Sequence, residues 1–170
     1  MKIKFIGFLV MVLFIIGCKD SVKQGGTVVE REGNSSIHMV ESEDKEMKKA
    51  IAEARASVST FIANLQNPKP DQTYFSVKKM FTDGPYKEHI WLTEVTYDGQ
   101  YFLGVVANEP VDVRNIGYGD DVSVSPTEIS DWMFVEKNKL KGGYTIRALK
   151  KKLSHDKQKE YDQSLPFEIE

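Results

Sequence analysis

His89-Ile90-Trp91-Leu92-Thr93-Glu94-Val95-Thr96-Tyr97, then Asp98-Gly99-Gln100, then Tyr101-Phe102-Leu103-Gly104-Val105-Val106-Ala107-Asn108 is the stretch on which the fold turns. Both arms are rich in β-branched and aromatic residues, which suit a pleated, half-buried surface. Asp-Gly between two such arms is a strong short-range hairpin signal, because both residues tolerate the turn's positive φ. The side-chain period of two puts His89, Trp91, Thr93, Val95 and Tyr97 on one side, with Ile90, Leu92 and Glu94 on the other. Upstream, Phe75, Val77 and Phe81 predict a strand that Asp83-Gly84-Pro85 ends. Downstream, Val122 to Val124 predicts another. After Pro126 a further strand runs from Glu128 or Ile129 to Val135, with Asp131 on the face of Ile129, Met133 and Val135.

Helices flank this block. Ile37 to Val40 suits a short edge strand, and Ser42 or Asp44 can cap the helix that follows. Met47, Ala50, Ile51, Ala54, Val58, Phe61, Ile62 and Leu65 form one apolar stripe at helical period, ending at Asn67-Pro68. Beyond Gly142-Gly143, Thr145 can cap a helix with Ile146, Leu149 and Leu153 inward. Ser154 can cap another, with Tyr161 and Leu165 docking. The expected fold class is α+β: an amino-terminal amphipathic helix packed on a curved antiparallel sheet of about five strands, or a partial barrel, then carboxy-terminal helices.

The amino terminus reads as an address. Lys2 and Lys4 precede an uncharged run from Phe5 to Cys18, 14 residues against the roughly 20 that a membrane-crossing helix needs. Its close, Ile15-Ile16-Gly17-Cys18, resembles the bacterial lipobox. That resemblance implies a diacylglyceryl group on the Cys18 sulfur and cleavage just before it. Two or three acyl chains anchor firmly at about 0.8 kcal/mol per buried methylene. Lys19 in the next position favours the outer membrane in an organism with two. Residues 1–17 are then a signal peptide, and 18–36 the lipidated cysteine and a glycine-rich tether spanning about 23 Å. Residues 37–170 form one globular domain.

Composition narrows the rest. Among 170 residues, 23 Lys and Arg face 25 Asp and Glu, a net charge of -2 with no field to hold a nucleic acid. One cysteine excludes an intrachain disulfide and a multi-cysteine zinc site. His38 and His155 have no ligand-spaced partner, so no metal and no cofactor is expected. No nucleophile elbow or phosphate-cradling glycine loop is present, so no catalysis is expected.

The candidate binding residues are Glu88, His89, Trp91, Asn108, Asp131, Trp132 and Arg147. Glu88, His89 and Trp91 share one strand, and a His beside a Trp can stack on or hydrogen-bond a ligand. Asp131 sits on an apolar strand face, where a carboxylate costs several kcal/mol unless paired. Arg147 or a group of backbone amides would serve. The structural reading is an Asp–Arg or Asp–amide clamp that holds the last helix to the sheet, and the functional one is a polar pocket framed by Asp131, Trp132, His89 and Arg147.

Several stretches resemble one family: Ala54-Arg55, Phe75-Ser76-Val77-Lys78, Glu88-His89-Ile90-Trp91-Leu92, Asn108-Glu109-Pro110, Ile129-Ser130-Asp131-Trp132-Met133 and Gly142-Gly143-Tyr144-Thr145-Ile146-Arg147. Together they are similar to the YegJ-like bacterial family, known as domain of unknown function 2314, from about Met39 to Leu149. The resemblance implies a compact bacterial domain, sometimes carried on a lipoprotein, and brings no activity. The expected function is a membrane-anchored extracytoplasmic binding domain for an unknown protein or small molecule. Alternatives are an immunity-type protein that captures a toxin at the envelope, and an envelope enzyme using His89 and Asp131.

Overall fold

A computed structural model describes residues 44–170 and, for the backbone alone, the strands Thr27–Arg31 (β1) and Asn34–Met39 (β2). Cys18, the apolar block before it and the remainder of the tether lie outside the described residues. β1 and β2 pair antiparallel as a separate two-stranded sheet. Ile37, expected in an edge strand, falls in β2.

The main sheet has six antiparallel strands: Gln72–Asp83 (β3), Tyr86–Tyr97 (β4), Phe102–Val106 (β5), Asp121–Val124 (β6), Ile129–Glu136 (β7) and Lys139–Gly142 (β8). Their order is β6-β5-β4-β3-β7-β8, with β6 and β8 at opposite edges, so the sheet is open and the barrel alternative is set aside. The sixth strand is the one the sequence conceals. Lys139-Leu140-Lys141-Gly142 carries a single large apolar side chain, and Lys137 and Asn138, at φ 52° and 64°, form the two-residue turn that delivers it. At the β4–β5 turn, Asp98 accepts from the amides of Gln100 and Tyr101 at 2.8 and 2.6 Å, and Gly99 takes φ 104°.

The apolar stripe forms two helices, not one: Lys45–Ala56 (α1) and Val58–Gln66 (α2). Of the two proposed caps, Asp44 is the one used; it accepts from the amides of Glu46 and Met47 at 2.9 and 3.0 Å. The break comes at Ser57, whose hydroxyl lies 2.8 Å from Glu53 O and 2.8 Å from the Tyr144 hydroxyl. A serine that bonds back to the preceding turn competes with the helical ladder. The stripe still faces inward as one surface. Phe61 sits at its centre, with ring centroids 5.9, 5.6 and 5.5 Å from Phe75, Phe102 and Trp132.

Tyr144–Lys152 (α3) and His155–Ser164 (α4) follow, and α3 also packs on α1. β7 is buried on both faces: Trp132 and Phe134 join the main core, while Val135 joins Leu140, Ile146 and Phe167 in a second cluster. The tail closes the β8 edge, since Leu140 N donates to Glu168 O at 2.9 Å and Glu168 N to Asn138 O at 2.8 Å.

Two faces differ from expectation because strands carry bulges. The β4–β5 register shifts between Thr93 and Thr96, and Glu94 takes φ 53°. One extra residue reverses the alternation beyond it, so Val95 and Tyr97 join Ile90 and Leu92 in the core instead of His89 and Trp91. A second shift, between Lys78 and Lys79 on β3 opposite β7, moves Ile129 into the main core, away from Met133 and Val135. Among the described residues no helix is long and apolar enough to cross a membrane.

Candidate functional site

Asp131 is fully buried on β7, and every bond to it is donated. Its Oδ1 accepts from the amides of Trp132 (2.8 Å) and Tyr144 (3.1 Å). Its Oδ2 accepts from the Thr145 amide (2.8 Å) and the Thr145 hydroxyl (2.6 Å). The geometry explains itself at the start of α3. The N-cap position is Gly143, in a left-handed conformation with no side chain to offer, and the helix's first amides would otherwise be orphaned. Asp131 reaches across from the sheet and caps them, so Thr145 is a donor inside the first turn and not the cap. Burial pushes the Asp131 carboxyl above its ordinary range, opposed first by the hydrogen bond from Thr145 and then by the charge of Lys78. Arg147 turns elsewhere: its Nη2 donates to Leu140 O at 2.9 Å. Of the two partners weighed for Asp131, the backbone amides are the ones that bond to it.

Glu88 does a similar task on β4. Buried, it accepts from Val111 N at 3.0 and 2.8 Å through its two oxygens and from Asp112 N at 2.9 Å. It thereby fastens the irregular segment between β5 and β6. Asn108, at the start of that segment, is half-buried, with its Nδ2 3.5 Å from Glu109 O. Trp132 is buried against Phe61, its Nε1 donating to Ala54 O at 2.9 Å, which ties the sheet to α1.

His89 and Trp91 remain at the surface of the second face, half-buried. Sequence reasoning missed their neighbours. Lys78 on the central strand pairs in register with Trp91 on one side and Asp131 on the other, and its Nζ lies 5.3 Å from the Trp91 ring centroid. Such a cation over an indole face is attracted by the ring quadrupole. His89 Nδ1 lies 2.9 Å from the Ser130 hydroxyl, which in turn reaches Lys78 O at 3.2 Å. Arg55, whose Nε donates to Ile129 O at 2.7 Å, brings a further positive charge from α1. Only the alternation of β3 could have placed Lys78 here, and its cross-strand partners are not visible along the chain.

Burial holds the His89 imidazole down at about 4, helped by the charges of Lys78 and Arg55. The unfolded imidazole takes its proton near 6.5. Between those values the unfolded chain binds more protons, so stability rises with pH across the window, is complete above 6.5 and is lost as pH falls through 4. The contribution is roughly 3 kcal/mol. Urea melts from pH 4 to 7 should show a shallower pH slope for His89→Gln than for the parent chain.

None of these candidates lines any of three open clefts formed by described residues. Clefts of about 360 and 460 Å3 flank the segment from Glu109 to Asp120, and one of about 390 Å3 opens between β3 and β4. Among the described residues no group of three or more His, Asp or Glu side chains could hold a metal ion. Three lysines of α3 and α4 meet acids: Lys150 pairs with Asp162 (2.6 Å), Lys157 with Glu160 (2.7 Å) and Lys152 with Asp44.

Fold and site together define a small α+β domain whose buried carboxylates hold its own main chain. The chain belongs to the DUF2314 family of uncharacterized proteins conserved in bacteria, whose model matches residues 44–169. It is 42% identical over 103 residues to the uncharacterized protein YegJ of Escherichia coli K12, a match covering 61% of this chain and 66% of YegJ. It is 33% identical over 138 residues to a putative ankyrin repeat protein of Neisseria meningitidis serogroup B, covering 76% of this chain and 54% of that one. The chain thus spans about two thirds of the first relative and about half of the second. Ankyrin repeats are stacked helix pairs, whereas the described residues here centre on a sheet, so that name describes the relative and not this fold. No solved structure matches the chain.

Proposed function

We propose that this chain is a lipid-anchored, non-catalytic binding domain of the bacterial cell envelope, held by an acylated Cys18 and facing away from the cytoplasm. The observation that carries the non-catalytic part is the occupation of Asp131 and Glu88. Both buried carboxylates accept main-chain amides, and a general base needs a free lone pair within reach of a substrate proton. His89, the other half of the enzyme alternative, contacts Ser130 instead of either carboxylate. The anchoring part is supported by Ile15-Ile16-Gly17-Cys18, where the chain's one cysteine falls at the end of its apolar block. Lys19 favours the outer membrane where there are two. A domain of this kind in a Neisseria protein named for ankyrin repeats, an architecture of extended binding surfaces, also fits a role in interaction.

Metabolic labelling with an alkyne-bearing palmitate tests the anchor. The full chain should carry label and sediment with membranes, while Cys18→Ser should lose the label. Equal labelling of both overturns the assignment.

A further inference from the structure

The two central strands of the sheet part company. The β3–β4 ladder runs from Asp83↔Tyr86 to Val77↔Leu92 and stops there, although both strands continue. Just past that point each carries a bulge: β3 between Thr73 and Ser76 against β7, and β4 between Thr93 and Thr96 against β5. Each bulge holds a bulky residue in the left-handed region, Tyr74 at φ 57° and Glu94 at φ 53°. That conformation is unfavourable for residues with a Cβ, and glycine would adopt it freely. Two such residues line one cleft of about 390 Å3, with Leu65 of α2, Pro68 just beyond that helix, Phe75 and Val95. Tyr74 is 58% exposed, and among the described residues the Glu94 carboxylate has neither a hydrogen bond nor an ion pair. Neither side chain is spent on the fold, so the strain that displays them points outward, to a ligand.

We propose that this cleft receives an arginine or lysine side chain of a partner polypeptide. The inference rests on reading the chain as a binding domain. Glu94 supplies the opposite charge, and the Tyr74 ring supplies a face on which a guanidinium stacks. Leu65, Phe75 and Val95 supply an apolar bed for the methylenes. The occupant is a polypeptide because the facing edges of β3 and β4 beyond Val77 and Leu92 share no ladder, leaving main-chain groups for a peptide backbone to meet.

The test uses the full chain in detergent, isotopically labelled, titrated with acetyl-Leu-Arg-Leu-amide. Amide shifts should move at residues 74–76 and 93–95. The same peptide with citrulline, isosteric and uncharged, should bind at least about tenfold more weakly, as should the arginine peptide to Glu94→Gln. Glu94→Gly removes the carboxylate while relieving the backbone, so it should bind no better than Glu94→Gln and melt roughly 3–5 °C higher than the parent. Absence of shifts at the cleft, equal binding of the citrulline peptide, or unchanged binding by Glu94→Gly overturns the proposal. Those outcomes would leave acylation of Cys18 standing, and loss of acyl label would leave the peptide result standing.

Discussion

Replacing Asp131 with alanine should cost about 4 kcal/mol, a large fraction of the 5–15 kcal/mol that typically separates folded from unfolded domains. The change strands the amides of Trp132, Tyr144 and Thr145 and the Thr145 hydroxyl, all of which donate to this one carboxylate. Each buried donor left without a partner costs about 1–3 kcal/mol, softened where the end of α3 can admit water. The more telling variant is Asp131→Asn. Its size is right, but its NH2 group would face a backbone N–H in either orientation, those of Trp132 and Tyr144 at one oxygen position or that of Thr145 at the other. It should therefore lose nearly as much as alanine in urea denaturation. A full-stability Asp131→Asn chain would show that the carboxylate is not a clamp and would reopen the enzyme alternative.

Gly142→Ala should be at least as severe, at about 4 kcal/mol or more, or should prevent folding altogether. A Cβ at this position would lie 2.2 Å from Trp132 O and 2.4 Å from Trp132 Cε3, and the residue sits at φ +68°. Backbone on one side and a buried indole on the other leave nothing that can move. The strands would have to separate where Met133 pairs with Gly142, drawing the start of α3 away from Asp131. Gly143→Ala is the control. Its φ of +62° is similar, but the nearest atom, at 2.5 Å, is a terminal methyl of Leu140, which can rotate. Its cost should be closer to 1–2 kcal/mol, from the left-handed backbone and a shifted side chain. Thermal melts of the two variants side by side would check the difference.

The α+β class, the Asp98-Gly99 hairpin and the helical stripe were readable because each depends on neighbours in the chain. β8 was not, since four residues with one apolar side chain become a strand only by pairing with β7. The bulges left one trace: Gly104, inside β5, where a Cβ would come within 3.1 Å of Thr93 O. A glycine in a strand interior marks such a close approach, and taking it so would have moved Val95 and Tyr97 to the core face. At the site, the need of Asp131 for partners followed from its apolar surroundings. The choice of amides over Arg147 did not, because it depends on Gly143 leaving α3 uncapped. Glu88 gave no local sign of its role, as the amides it holds lie 23 and 24 residues further on.

The seating of α1 has a consequence for how the chain is made. Its two ties to the sheet, Arg55 to Ile129 and Trp132 to Ala54, join residues 74 and 78 positions apart. Closing loops of that length is entropically costly, and folds dominated by such distant contacts form slowly. The β3–β4 hairpin can assemble as soon as its two strands are free to meet, but the helix made before it must wait until β7 follows. Throughout that interval the nascent chain displays an unsatisfied apolar ridge, which is the kind of surface a holding chaperone grips.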